Sequence, residues 1–341
     1  MRRDVQNPRN PWHEQQVCWD PGENVATLQV REISARSIVS KNESPDIPFR
    51  FSVNPYQGCY HGCVYCYARP SHQYLGLGAG TDFERRILVK TNAPALLEKA
   101  FASPSWQGEM LVFSGNTDCY QPLEAAYGLT RACLEVCASY RNPVGVITKG
   151  GVALRDVQLL ARLAAVTSVQ VFVTIPFLST DLANVFEPFA APVAKRFELL
   201  RALSSAGISS GISISPLIPG ANDCDVAELL ARASSAGARD AFMSPLRLPG
   251  EVSEVFFSSI RTALHPARVE RIERGVRELR AGKLNDSGFG TRMSGQGARW
   301  HAIERLFEIQ CRRHSLNREP LSRSAVPRTF RRPRRQLSLF D

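Results

Sequence analysis

Long apolar runs are missing from this 341-residue chain. No stretch approaches the ~18 consecutive apolar residues of a membrane-spanning helix, so no membrane-embedded protein or membrane partner is expected. The first residues, MRRDVQNPRNPWHEQQ, hold no apolar core segment of the kind a secretory signal needs. The reading is therefore cytoplasmic, where thiols stay reduced. A disulfide framework is excluded as well, because the nine cysteines are an odd number and only three of them cluster. Acidic residues are scarce at one end. Residues 312–341 carry nine arginines against Glu319 and Asp341, a net +7 of the chain's +10. Basic character is thus a property of the tail, and the body is not a general nucleic-acid binder by charge alone.

What is present is enough apolar residue, 44%, for one large core or two modest ones. A single α/β barrel of roughly 200–250 residues with end extensions fits the length. From about residue 108, β-rich apolar runs alternate with amphipathic stretches. Strands are predicted at 109–115, 144–149, 168–175, 208–220 and 239–249, and helices at 123–140, 154–165, 193–207 and 226–237. With a further strand near 50–55 this makes about six βα units and a parallel sheet. The expected architecture is a partial (β/α)6 barrel over 35–264, preceded by an irregular arm at 1–34. Helices at 266–281 and 298–313 would form an extension over 265–315, and 316–341 reads as a basic, disordered tail. In such a barrel the functional groups sit at the strand C-terminal ends.

The stretch NPYQGCYHGCVYCYARP, residues 54–70, places Cys59, Cys63 and Cys66 in one glycine-containing loop with C-x3-C-x2-C spacing. A structural zinc site wants four ligands. His61 is the nearest candidate for a fourth, but it lies inside the x3 gap and would strain the loop. Three unrelated buried cysteines are the other plain reading. A four-iron cluster suits the count better, because three thiolates hold three irons and leave one open to a non-protein ligand. Gly58 and Gly62 would let the loop wrap a cluster closely.

The spacing resembles the radical S-adenosylmethionine superfamily, whose signature C-x3-C-x-aromatic-C is matched by Cys59, Cys63, Tyr65 and Cys66. The stretches TDCYQPLE, ITKG, VFEPFAAP, SPLIPGAND, LRLPGEV and GFGTRMSGQG extend the likeness over roughly 35–312, towards a bacterial branch related to spore photoproduct lyase. The resemblance implies a [4Fe–4S] cluster whose open iron is chelated by S-adenosylmethionine, an external electron donor, and cleavage to a 5′-deoxyadenosyl radical that takes a hydrogen atom from substrate. It implies that Tyr65 packs near the adenine. It also implies cofactor contacts from Gly115, Asn116, Thr117 and Asp118 after the second strand, from Thr174 after the fourth, and from Ile218, Gly220 and Asn222 after the fifth. Thr117 or Asp118 as a helix cap, Thr174 as a backbone partner, and a Pro-Gly turn at 219–220 are the plain alternatives.

Lys149 ends the third strand and is expected to point into the barrel mouth, or into a solvated turn. Arg247 closes the sixth strand, where it can hold a carboxylate or phosphate or pair with a structural acid. The pattern departs from spore photoproduct lyase at one place. That family carries a hydrogen-donating cysteine just before a Thr/Ser-Asp pair, whereas this chain has Gly115-Asn116 there and its nearest thiol, Cys119, on the other side. Cys119 is a candidate substitute donor or a buried inert thiol, and Tyr67, Tyr74 and Tyr120 are candidate relays. Cys133 and Cys137, four apart on a helix, are expected to face the core.

The tail ends QLSLFD. Gln336, Leu337, Ser338, Leu339 and Phe340 resemble the Q-L-x-L-F motif by which bacterial polymerases and repair proteins dock on the DNA sliding clamp. Three functions are expected from these features. The first is a lyase-like radical enzyme acting on DNA, in lesion repair, recruited through its tail. The second is a radical enzyme of RNA or protein modification. The third is a non-enzymatic zinc or iron–sulfur module.

Overall fold

The computed structural model describes residues 27–318 and 329–333. In chain order the strands are β1 (Gln29–Ile33), β2 (Val39–Lys41), β3 (Phe51–Val53), β4 (Tyr56–Gln57), β5 (Arg86–Lys90), β6 (Leu111–Phe113), β7 (Val144–Thr148), β8 (Val169–Thr174), β9 (Ser209–Leu217) and β10 (Asp240–Pro245). The main sheet runs β10-β9-β8-β7-β6-β3-β2. Only β2 is antiparallel to its neighbour; β3, β6, β7, β8, β9 and β10 are the six parallel strands of a (β/α)6 partial barrel. The edges β2 and β10 do not pair, so the barrel is open on one side.

The covering helices follow from their apolar spacing. Leu129–Tyr140 buries Leu129, Cys133, Leu134, Cys137 and Tyr140, one stripe at intervals of three and four. Cys133 and Cys137 thus face the core as expected. Val157–Ala164 buries Val157, Leu159, Leu160 and Leu163, each of which contributes about 1.5–3 kcal/mol of burial before entropy is counted. The stretch 123–140 is two helices rather than one. Gly128 adopts φ 63° between Glu124–Tyr127 and Leu129–Tyr140, a conformation that ends a helix at little cost only for glycine.

Two segments expected to be irregular hold ordered structure. Within the 1–34 arm, β1 pairs in parallel with β5, and β4 pairs with the other side of β5, making a separate three-stranded sheet. Within the 316–341 tail, residues 329–333 lie against the body. Phe330 stacks on Tyr140 and meets Phe101 edge-on, and the Arg331 amide donates to the Tyr140 carbonyl at 2.9 Å. A Cβ on Gly108 would stand 2.3 Å from Phe330 Cβ, so the contact requires glycine there. Aromatic burial is the reason this part of a basic tail docks. The clamp-like residues 336–340 lie outside the described residues.

The extension is helical, with Pro266–Leu279 and Gly297–Arg313 joined by the glycine-rich link. Arg292 in that link grips Asp46 with two hydrogen bonds, Nε to Oδ2 at 2.8 Å and Nη2 to Oδ1 at 2.7 Å. The loop after β2 and the link after Pro266–Leu279 are therefore tied together beside the open edge of the sheet. Among the described residues, no helix is long and apolar enough to cross a membrane.

Candidate active site

The three cysteines follow β4 directly. Gly58 has φ 88° and a Cβ there would meet His72 at 2.9 Å, while Gly62 has φ 65°. Both turns are open to glycine and strained for other residues. The loop is pinned along its length: the Cys59 amide donates to Phe83 O, the Val64 amide to Phe186 O, and the Phe189 amide to His61 O, all within 3.1 Å. Arg69, fully buried, spends its guanidinium on the carbonyls of Gly62, Cys63, Ala79 and Gly80 and pairs with Glu84 at 2.5 Å. A buried cation that satisfies four carbonyls and one acid fixes a loop that has no secondary structure of its own.

Cys59, Cys63 and Cys66 all line one cavity of about 1570 Å³, which runs along the inside of the open barrel. Burial pushes every thiol of the three upward, Cys63 to about 12. They are protonated near neutrality until a metal displaces the protons. Among the described residues no three His, Cys, Asp or Glu side chains converge on a single metal ion. Three thiols on one loop in one cavity suit a cubane cluster, in which each thiolate takes a different iron. The Cys59, Cys63 and Cys66 thiols are the groups that would hold it.

The same cavity is lined by Tyr65, Tyr67, Gly115, Asn116, Thr117, Asp118, Lys149 and Thr174. The structure thus brings together most of the residues predicted from the sequence, but with altered duties. The Asp118 carboxylate accepts from the Tyr120 and Lys149 amides and the Thr148 hydroxyl, and stands 3.4 Å from His61 Nδ1. Burial alone would raise its pKa. The adjacent His61, Lys149 and these donors outweigh burial and hold it well below the usual carboxylate range. Asp118 braces the loop after β6 rather than offering a free carboxylate. Thr117 is likewise turned inward, donating to Tyr56 O at 2.7 Å. Neither caps the next helix, whose first residue has no side-chain cap. Asn116 is exposed, and a Cβ on Gly115 would come within 2.8 Å of Ser52.

Six predicted residues fall elsewhere or play another part. Cys119 is completely buried and is not part of the cavity wall; it belongs to the core, with its carbonyl accepting from Thr130. This placement matches the alternative of a buried thiol and lends no support to Cys119 as a hydrogen donor. Tyr74 and Tyr120 do not line the cavity either. Ile218, Gly220 and Asn222 also stand off the wall. The Asn222 side chain accepts from the Ile218 amide and donates to Pro176 O and Pro216 O, so it is consumed in holding the turn. Arg247, by contrast, is in the wall.

Glu187 carries no mark in the sequence, although VFEPFAAP contains it. It is fully buried and joins three site residues: it accepts from the Tyr65 hydroxyl, pairs with Arg196 at 2.5 Å, and stands 4.0 Å from Lys149 Nζ. Lys149 Nζ lies 5.7 Å from the Tyr65 ring centroid. Burial disfavours the Lys149 charge, but Cys63, Glu187 and Asp118 together outweigh it, and its pKa lies above the ordinary lysine value. Lys149 is therefore a fixed cation next to the cysteine loop.

Comparison with known proteins agrees with this geometry. Residues 53–233 match the Radical SAM superfamily. An uncharacterised protein of Mycobacterium tuberculosis is 33% identical over 247 residues, which is 72% of each chain. One from Methanocaldococcus jannaschii is 28% identical over 192 residues, covering 56% of this chain and 69% of that protein. Spore photoproduct lyase complexed with dinucleoside spore photoproduct superposes with a TM-score of 0.60 at 16% identity, over 88% of this chain and 85% of that one. A variant of the same lyase holds both AdoMet and the dinucleoside, with a TM-score of 0.59 over the same shares at 16% identity. The cofactors of the family are a [4Fe–4S] cluster and S-adenosylmethionine, and the three-thiol loop with its cavity fits them. The chain belongs to the Radical SAM superfamily.

Proposed function

We propose that this protein is a lyase-like radical enzyme that acts on DNA in lesion repair. The observation that carries the reading is the size and shape of the cavity. At about 1570 Å³ it exceeds the ~300–1,000 Å³ of ordinary small-ligand pockets. Room therefore remains for a second, larger reactant beside the cofactor. The fold shared with spore photoproduct lyase, whose structure holds a dinucleoside lesion, supports a nucleotide as that reactant.

When bound, the cluster and S-adenosylmethionine supply one-electron cleavage and hydrogen-atom abstraction. The chain's own residues do the rest. Cys59, Cys63 and Cys66 bind the irons. Lys149, held by Glu187, offers a cation to the methionine carboxylate. Tyr65 is fixed by its hydroxyl on Glu187, and Gly115 and Asn116 line the cavity. Tyr67, beside Cys66, is the residue best placed to pass a hydrogen atom to substrate, now that Cys119 stands in the core. Residues 336–340 are proposed to recruit the enzyme to the sliding clamp, with residues 329–333 as their anchor on the body. An external electron donor completes the partners. The test is anaerobic incubation of reconstituted enzyme with ultraviolet-treated DNA, undamaged DNA or RNA, followed by measurement of 5′-deoxyadenosine. Stimulation by damaged DNA is expected; stimulation by RNA alone would move the substrate to RNA modification.

A further inference from the structure

Three arginines meet where the glycine-rich link passes the end of β10, and they have different fates. Arg280 is spent on backbone: Nη1 donates to Ser294 O at 2.7 Å, and Nη2 to Leu246 O and Arg292 O at 3.0 and 3.1 Å. Arg292 is neutralised by Asp46. Arg247 has neither outlet. Its Nη1 reaches only the thioether sulfur of Met293 at 3.5 Å. Its Nε is buried with no hydrogen-bond partner. Among the described residues no carboxylate comes within ion-pair distance of it. Its guanidinium carbon lies 5.6 Å from the Tyr67 ring centroid, in the wall of the cavity.

A half-buried guanidinium facing a cavity with a sulfur as its best acceptor is an unmet demand for an anion. Burial and the neighbouring Arg292 push its pKa below the ordinary arginine value, which fits a charge without compensation. Two anionic groups are conceivable in this cavity, the methionine carboxylate of the cofactor and a phosphate of the substrate. Position separates them. Lys149 stands against Tyr65 and the cysteine loop, where the methionine end belongs. Arg247 stands over Tyr67, at the end of the edge strand, beside the open side of the barrel.

We infer that Arg247 is a substrate-binding residue that takes a phosphodiester group of a nucleic-acid strand, and so sets which nucleotide lies over Tyr67. The inference rests on the nucleic-acid reading above. The planar guanidinium can hold two phosphate oxygens at once, which fixes register as well as affinity. Releasing Nη1 from Met293 costs little, because a thioether is a weak acceptor.

The test uses full-length, reconstituted enzyme under anaerobic conditions and measures equilibrium binding of a short fluorescent single-stranded oligonucleotide. Arg247→Gln is expected to weaken binding roughly tenfold to a hundredfold, the range of one charge-assisted pair. It should also reduce the salt slope by about 0.7, the share of one phosphate on a single strand. Arg247→Lys should recover part of the affinity. A neutral methylphosphonate at the contacted linkage should weaken the unmodified enzyme equally and leave Arg247→Gln almost indifferent, a coupling that a misfolded variant cannot imitate. Wild-type affinity for the oligonucleotide in Arg247→Gln would overturn the inference. So would a loss confined to S-adenosylmethionine binding, which would assign Arg247 to the methionine carboxylate. If the unmodified enzyme bound neither DNA nor RNA, the nucleic-acid reading itself would fall, and this inference with it.

Discussion

The Tyr67 hydroxyl donates to the Gly115 carbonyl at 3.0 Å. This bond helps join the cysteine loop to the polar loop after β6, 48 residues away in the sequence. Gly115 can make the contact because it has no side chain: a Cβ would stand 2.8 Å from Ser52 Cβ. Gly115→Ala should therefore displace the loop and lower S-adenosylmethionine affinity by roughly tenfold, about 1.4 kcal/mol. Tyr67→Phe removes this hydrogen bond, together with the hydroxyl proposed to pass a hydrogen atom, and should cost about 0.5–1.5 kcal/mol of cofactor affinity. Equilibrium dialysis with labelled cofactor measures both. Unchanged affinity in Gly115→Ala would show that the loop after β6 does not contact the cofactor.

Cys59→Ala, Cys63→Ala and Cys66→Ala should each abolish stable cluster binding, because two thiolates cannot retain a labile cubane. Cys133, buried in the helix stripe and absent from the cavity wall, is the control. Cys133→Ala should keep full iron and sulfide and lose only stability, by about 1 kcal/mol. Iron, acid-labile sulfide and absorbance near 400 nm are the readouts. Full iron in Cys66→Ala would break the ligand assignment.

Glu187 and Arg196 form a buried pair, both nearly inaccessible to solvent. Glu187→Gln strands the Arg196 charge while keeping an acceptor for the Tyr65 hydroxyl, so a loss of roughly 3–5 kcal/mol is expected in urea unfolding. Adding Arg196→Met should restore a large part of it. A double variant no more stable than Glu187→Gln would show that the pair is not coupled.

The barrel is legible in the sequence because parallel strands buried on both faces leave short β-branched runs, and amphipathic helices leave stripes such as Leu129, Cys133 and Cys137. The cysteine loop is legible because three closely spaced thiols in a chain of reduced cysteines point to a metal or cluster far more often than to chance. The supports are hidden. Glu187, Arg196 and Arg69 lie far from or beside the motif with nothing local to mark them as buried, since pairing across 122 residues, as between Tyr65 and Glu187, leaves no periodic trace. The duties of Asp118 and Asn222 differ from expectation for a related reason. Polar residues in a turn serve cofactors or their own backbone, and only the hydrogen-bond partners distinguish the two. The small sheet leaves little signal because β1 and β4 are five and two residues long.

Residues 329–333, which pack against the body, precede the clamp-like motif in the chain. Leu339→Ala combined with Phe340→Ala should abolish binding to a purified bacterial sliding clamp, whose expected affinity for the tail is of order micromolar because few side chains would be buried. Phe330→Ala should leave the motif itself competent and loosen only its tether. A calorimetric titration of the full chain and of a peptide spanning 328–341 separates these effects. No heat from either at several hundred micromolar, taken as about one hundred times the expected dissociation constant, would remove the recruitment reading.

The fate of S-adenosylmethionine tests the radical assignment most directly. Reconstituted, dithionite-reduced enzyme should convert it slowly to 5′-deoxyadenosine and methionine without substrate, and faster with damaged DNA. The two products should appear in equal amounts by liquid chromatography and mass spectrometry. Release of S-adenosylhomocysteine alone, with no 5′-deoxyadenosine, would mean polar methyl transfer and contradict the radical assignment.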